Sequence, residues 1–175
     1  MSKLNERQLI ALAQETLPYD TNFFQQLIGP YVFQLKGYCQ KLLNNSADAE
    51  DVVQETLIKA LTHLKGFKWV VSFKAWLFKI AHNECIDKIR KRKWYSSLGE
   101  DELDDLPAKE ATPNIDDSLS DMMNKLSFID RNIILLRYRN GLEFQEIADI
   151  TEMKLSAVKM RHKRIIEFLR EQEEE

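Results

Sequence analysis

Apolar residues along this chain recur every three or four positions, and no stretch sustains the every-second-residue alternation of a half-buried strand. That regularity restricts the fold to packed helices. From Asn22 to Leu43 the stripe is Phe23, Leu27, Tyr31, Leu35, Tyr38 and Leu42, with Gly29-Pro30 predicted to break or kink it. Ser46 or Asp48 is predicted to cap the next helix, where Glu50 and Asp51 favour the positive end of the dipole. Its buried stripe is Val53, Leu57, Ala60, Leu61 and Leu64, and Gly66 ends it. Phe73 to Lys93 resumes with Trp76, Leu77, Ile80, Ala81, Ile86 and Ile89 and turns basic in its second half. A further stripe runs from Leu119 to Tyr138 through Met122, Leu126, Ile129, Ile133 and Leu136. After Gly141 two more helices are predicted, Phe144 to Ile150 and Leu155 to Glu171.

A length of 175 residues accommodates one domain or two small ones, and 44% hydrophobic content is too much for wholesale disorder. No apolar run is long enough to cross a membrane, and the start, MSKLNERQLIALAQ, is too short in its apolar part and too charged for a signal peptide. The chain is expected to stay in the cytoplasm, without membrane insertion. Cys39 and Cys85 each sit in apolar helical pattern, which reads as core and not as a disulfide or metal pair.

The formal net charge of −3 conceals an uneven distribution. Between Glu84 and Lys93, five cations (Lys88, Arg90, Lys91, Arg92, Lys93) face two anions; between Lys154 and Arg170, six cations face Glu167 alone. Separating them, Glu100 to Asp121 carries nine anions and only Lys109. Together with Gly99, Pro107 and Pro113 and little apolar material, this marks residues 96–118 as an acidic, flexible linker. Two basic elements flanking it point to nucleic acid despite the acidic whole.

In the C-terminal segment, Ala148 is small where two helices must approach, and Ile147, Ile150, Met153 and Val158 are apolar beneath, as in a helix-turn-helix. Its second helix would present Ser156, Ala157, Lys159, Met160, Lys163 and Arg164 to the major groove. Glu152 stands where many such turns need glycine for a positive φ. In the middle segment Phe67, Trp69, Phe73, Trp76, Phe78 and Trp94 lie beside the basic helix, a pairing of stacking rings with phosphate-tracking cations that suits unpaired strands. Trp76, Leu77 and Ile80 read as core, whereas Trp69-Val70-Val71 is harder to bury.

Taken together, DAEDVVQETLIKAL at 48–61, FKAWLFKIAHNECIDKIRKRK at 73–93 and LSFIDRNIILLRYRNGLEFQEIADI at 126–150 resemble the extracytoplasmic-function branch of the bacterial sigma factors. The resemblance implies an all-α chain of two small helical domains. Residues 1–17 would be a helical N-terminal extension, 18–95 the region-two bundle, 96–118 the linker and 119–175 the region-four helix-turn-helix. It further implies that Asp51, Gln54 and Glu55 dock on the β′ clamp helices of core RNA polymerase, with the β flap as a second contact. Asn83 would read the upstream −10 element, and the loop from Gly66 to Ser72, with Lys68, Trp69 and Phe73, would capture a flipped base. Asp87, Arg90 and Lys91 would run along the DNA, and Arg161 would join the −35 set of Ser156, Ala157, Lys159, Met160, Lys163 and Arg164. No cofactor is implied; promoter DNA, core polymerase and an anti-sigma factor are the implied partners, with the holoenzyme on the nucleoid.

Departures from the family pattern fall at Trp69-Val70-Val71, at Leu126-Ser127 in place of Leu-Pro, and at Ser156, Ala157 and Met160 in the recognition helix. Apolar Ala157 and Met160 favour contacts such as a thymine methyl. A duplex-binding helix-turn-helix regulator shares only the C-terminal part of this pattern. A metal-dependent hydrolase would use His82 and Cys85 or the acidic run; His82 and Cys85 give two ligands at most, with His63 and His162 in separate elements, which is a poor ligand set.

Overall fold

The computed structural model describes residues 4–96 and 117–173, all of whose regular structure is helical. The proposed linker at 96–118 lies almost wholly outside the described residues. Four helices form an N-terminal bundle: α1 (Glu6–Thr16), α2 (Asn22–Leu43), α3 (Ser46–His63) and α4 (Phe73–Ser96), with a 3-10 turn at Leu64–Gly66. The C-terminal unit holds α5 (Asp117–Asn124), α6 (Phe128–Ile134) running into a π-helical turn at Leu135–Arg139, α7 (Phe144–Thr151) and α8 (Leu155–Glu173).

Local chemistry explains where the helices start. The Asn5 side chain accepts from Gln8 N and the Gln8 side chain accepts from Asn5 N, both at 2.9 Å, so α1 begins with a closed capping box. Asn45 caps α3 by accepting from Asp48 N at 2.9 Å, so neither Ser46 nor Asp48 is the cap. Asp48 is spent instead on ion pairs with Lys88 and Arg92 of α4. Gly29-Pro30 does not break α2, which runs through it. Pro30 withholds the donor for the carbonyl of Gln26, and Gln26, Gly29 and Pro30 all lie on the exposed side, while buried Phe24, Leu27, Leu35 and Tyr38 hold both halves to the core.

The single helix predicted for Leu119 to Tyr138 is divided. Ser127 accepts from Asp130 N at 3.2 Å and starts α6 afresh. Buried Arg131 reaches back to donate to the carbonyls of Met123 at 3.0 Å and Leu126 at 3.2 Å, satisfying the end of α5. Glu152 takes the left-handed conformation, φ 57° and ψ 30°, that its place in the helix-turn-helix demands.

The two units pack on one another. Tyr38, Leu77, Phe78 and Ala81 of the bundle are fully buried, as are Ile133, Leu136 and Ile147 of the C-terminal unit. Across the seam between them, Tyr38 donates its hydroxyl to Asn132 Oδ1 at 2.7 Å, and Asn132 Nδ2 lies 3.0 Å from His82 Nδ1. Ser72 donates to Glu146 at 2.6 Å, Asn44 donates to Asn124 at 2.9 Å, and Lys79 stands 3.8 Å from Glu152. A Cβ on Gly37 would come within 2.6 Å of Arg139 Nη2, so glycine is what lets that guanidinium lie against α2.

Candidate functional site

On α3 the buried positions Val52, Val53, Thr56 and Ala60 face the bundle, which leaves Asp51, Gln54 and Glu55 exposed on the outer side. Asp51 accepts from Lys88 Nζ at 2.9 Å, whereas Gln54 and Glu55 have no hydrogen bond or ion pair among the described residues. Ile58 continues this outer face one turn further and is 56% exposed. The family resemblance implied only Asp51, Gln54 and Glu55 on this face. The position of Ile58 outside the Val53 and Leu57 stripe was the available signal.

On α4, Asn83, Asp87 and Arg90 are exposed on successive turns, next to exposed Lys91. Arg90 lies 3.9 Å from Asp87, a loose pair open to water. Opposite them, burial holds the His82 imidazole down at about 4, with the nearby Lys79 charge adding to the effect, and raises the Cys85 thiol well above its ordinary value. A neutral His82 bonded to Asn132 and a Cys85 packed beside Cys39 are core groups and not a ligand pair.

The loop ahead of α4 presents Lys68, Trp69 and Val70 to solvent, Trp69 at 44% and Val70 at 87% exposure. The indole meets Phe67 edge-on, with ring centroids 5.3 Å apart. Phe73 corrects the reading from sequence: it is completely buried, packed against Tyr31, Phe67 and Trp76, and cannot touch a base. It is the floor under the loop, as its place in the first turn of α4 over the core requires.

On α8, Val158 and Ile165 are buried against the unit's core, so Ser156, Lys159, Met160, Lys163 and Arg164 project outward. Ala157 is half-buried at the edge of this face. Arg161 turns away from it and pairs with Asp130 of α6 at 2.9 Å. It lines a cavity of about 310 Å³ together with Leu126, Ile165 and Phe168, and Arg164, one turn further along, borders the same cavity from the edge of the outward face. Among the described residues no group of three or more His, Cys, Asp or Glu side chains is placed to hold a metal ion, and no helix is long and apolar enough to cross a membrane.

Comparison with known proteins agrees with this arrangement. Residues 27–95 match the family model for Sigma-70 region 2, and residues 116–169 match that for Sigma-70, region 4. The chain is 29% identical over 170 residues to the ECF RNA polymerase sigma factor SigW of Bacillus subtilis (strain 168), covering 87% of this chain and 90% of that protein. It is 30% identical over 128 residues to the RNA polymerase sigma factor SigV of the same strain, covering 73% and 77%. The sigma factor RpoE, solved in complex with the anti-sigma factor NepR from Bartonella quintana, superposes with a TM-score of 0.70 at 28% identity, covering 85% of this chain and 94% of that one. CnrH, solved with the cytosolic domain of CnrY, shares the fold at a TM-score of 0.70 and 22% identity, over 97% of each chain.

These matches define a protein with sigma regions two and four, and the chain belongs to the extracytoplasmic-function branch of the sigma-70 family. It is an RNA polymerase sigma factor, a transcription initiation subunit that binds core polymerase and promoter DNA. A regulator that binds duplex DNA without polymerase would not account for the region-two half of the chain.

Proposed function

We propose that three exposed surfaces divide the work of initiation. Gln54, Glu55 and Ile58, with Asp51 at their edge, dock on the β′ clamp helices; an exposed carboxylate with no direct ion pair, beside an exposed aliphatic side chain, suits a basic, partly apolar partner. Asn83 reads a base edge upstream in the −10 element and the Trp69 loop captures an unpaired base, while Arg90 and Lys91 follow the phosphates. Lys159, Lys163 and Arg164 carry −35 affinity, with Ser156 and Met160 facing the bases. Arg161 is left out of this set because Asp130 holds it inward. The β flap of polymerase and an anti-sigma factor are further partners, the latter supported by the complex that the similar RpoE forms. The reading implies a protein of the cytoplasm, on the nucleoid when in holoenzyme.

The observation that carries this reading is Asn83: an amide with no hydrogen bond among the described residues, exposed on the basic helix of a region-two bundle. Asn83→Ala should leave core binding unchanged. In holoenzyme on promoters carrying 2-aminopurine in the −10 element, the same variant should lower open-complex formation and relax preference at one position. The expected loss is roughly 1–3 kcal/mol, the scale of a good bidentate base contact. A wild-type profile from this variant removes Asn83 from the reading surface.

Promoter binding also demands a change of arrangement. Elements centred near −10 and −35 lie about 25 base pairs apart, roughly 85 Å at 3.4 Å per pair. A compact body of 175 residues has a radius of gyration of only about 16 Å. Occupying both elements therefore requires the seam at Tyr38, Asn132 and His82 to part.

A further inference from the structure

The loop that carries Trp69 has few bonds of its own: Phe67 N donates to Leu64 O at 3.0 Å and Val70 N to Lys68 O at 2.7 Å. Its entry is held from outside, by α1. Gln14 Nε2 donates to Leu64 O at 2.9 Å and to Phe67 O at 3.1 Å, the two carbonyls that bracket the 3-10 turn. Carbonyls at the end of a helix lack intrahelical donors, so a side-chain amide reaching both fixes the direction in which the chain leaves. Two turns earlier on the same face of α1, the Arg7 guanidinium stands 5.0 Å from the centroid of the Trp69 ring. Between them Ile10 is buried at 2% exposure, and at the start of the helix Glu6 accepts from Tyr31 OH, whose ring packs edge-on against Phe73. The helix is thus anchored to α2 and touches the loop at both ends, and it lies ahead of residue 27, where the match to the region-two family begins.

We infer that α1 sets the specificity of the base-capturing loop, Gln14 by fixing its backbone at Leu64 and Phe67 and Arg7 by orienting the Trp69 indole. Both are positioning residues: they act through the loop and make no contact with DNA. The inference rests on the −10 reading of that loop. Its physical basis is that a loop with two internal backbone bonds, and an indole held within it only by an edge contact to Phe67, takes much of its orientation from the helix packed over it. A capture pocket discriminates among bases only while its walls stay fixed.

Four variants assembled with core polymerase test it: Gln14→Met, which keeps length but has no donor; Gln14→Lys, which restores one; Arg7→Ala; and Arg7→Lys. The readout is 2-aminopurine fluorescence on promoters carrying each of the four bases at every −10 position, with core affinity as the control for folding. Gln14→Met should flatten discrimination at the loop-captured position roughly three- to tenfold, the size of about one net hydrogen bond. Gln14→Lys should recover much of it, and Arg7→Ala should flatten the same position while Arg7→Lys retains it. An equal loss of rate on all four bases, or no loss, overturns the inference. If Gln14→Met fails to fold, the exposed Arg7 pair decides. Trp69→Ala separates the two levels: if it relaxes one position and the α1 variants do not, the inference alone falls. If Trp69→Ala and all α1 variants leave every preference intact, the −10 reading of the loop falls with it.

Discussion

The interior of the N-terminal bundle and the seam between the two units are built from different materials. Inside the bundle, Leu77, Phe73 and Phe78 are fully buried, and Phe78 packs edge-on against Tyr38 at 5.3 Å. At the seam the links are hydroxyl, amide, imidazole and carboxylate groups, from Tyr38, Asn132 and His82 to Ser72 with Glu146. Apolar surface once separated must be exposed to water at about 25 cal/mol per Å², whereas a hydrogen bond exchanged for one to water loses little. The bundle interior is therefore held by apolar burial, while the seam adds polar links to an apolar contact. Continuity of buried apolar groups across both units stops the seam from being weak, since Ile133 and Leu136 are as deeply buried as Phe78.

The sharpest way to break this contrast is to cut into the bundle. Phe78→Ala removes a fully buried ring and should lower stability by about 3–5 kcal/mol, measured by urea denaturation, with loss of core binding following from loss of the fold. A cost under about 1 kcal/mol would mean that the bundle interior is no firmer than the seam.

Acid should act on the seam first. Closed, His82 titrates near 4; opened to water it returns to about 6.5, so above 6.5 both states are neutral and closure is unaffected. As pH falls from 6.5 towards 4 the open form alone takes up the proton, and closure loses up to about 3 kcal/mol, with no further change below 4. Fluorescence transfer between dyes placed on α1 and α8 should report separation in this window, and His82→Phe should abolish the dependence.

Asn132→Ala keeps charge constant while leaving the Tyr38 hydroxyl and His82 without their shared partner. Opening should become easier by about 1–3 kcal/mol, read by the same dyes, with the bundle's own unfolding unchanged. An equal drop in the bundle's denaturation midpoint would show the two regions to be one cooperative unit.

The smallest effect belongs to the turn of the helix-turn-helix. Glu152→Gly relieves a left-handed glutamate and gives up only an exposed pair with Lys79 at 3.8 Å. Thermal melts should show a change within about 1 kcal/mol, on the stabilising side.

Much of this arrangement can be read from residue order. The courses of α2, α3 and α4, the helix-turn-helix and the outward face at Lys159 and Lys163 follow from apolar spacing, because the side turned inward is the side that carries Leu and Ile, whereas Asn83 was reached only through the family resemblance. Phe73 was misjudged because an aromatic beside a basic helix has the same composition whether it faces a base or floors a loop. The break at Ser127 was missed because Met122, Leu126 and Ile129 keep helical spacing across it, and the serine cap carries less weight than the stripe.

By itself, then, the order of residues determined most of the helices, their buried stripes and the family to which the chain belongs, but not the division of α5 from α6. Only the tertiary structure decided that α1 lies over the Trp69 loop, that Arg161 pairs with Asp130 of α6, and that Tyr38 meets Asn132 at a separation of 94 residues. Periodicity reports which side of one helix avoids water, a local quantity. A hydrogen bond between distant helices leaves no mark on the spacing of either, because any polar group on the right face would serve until the packing brings one particular partner within reach.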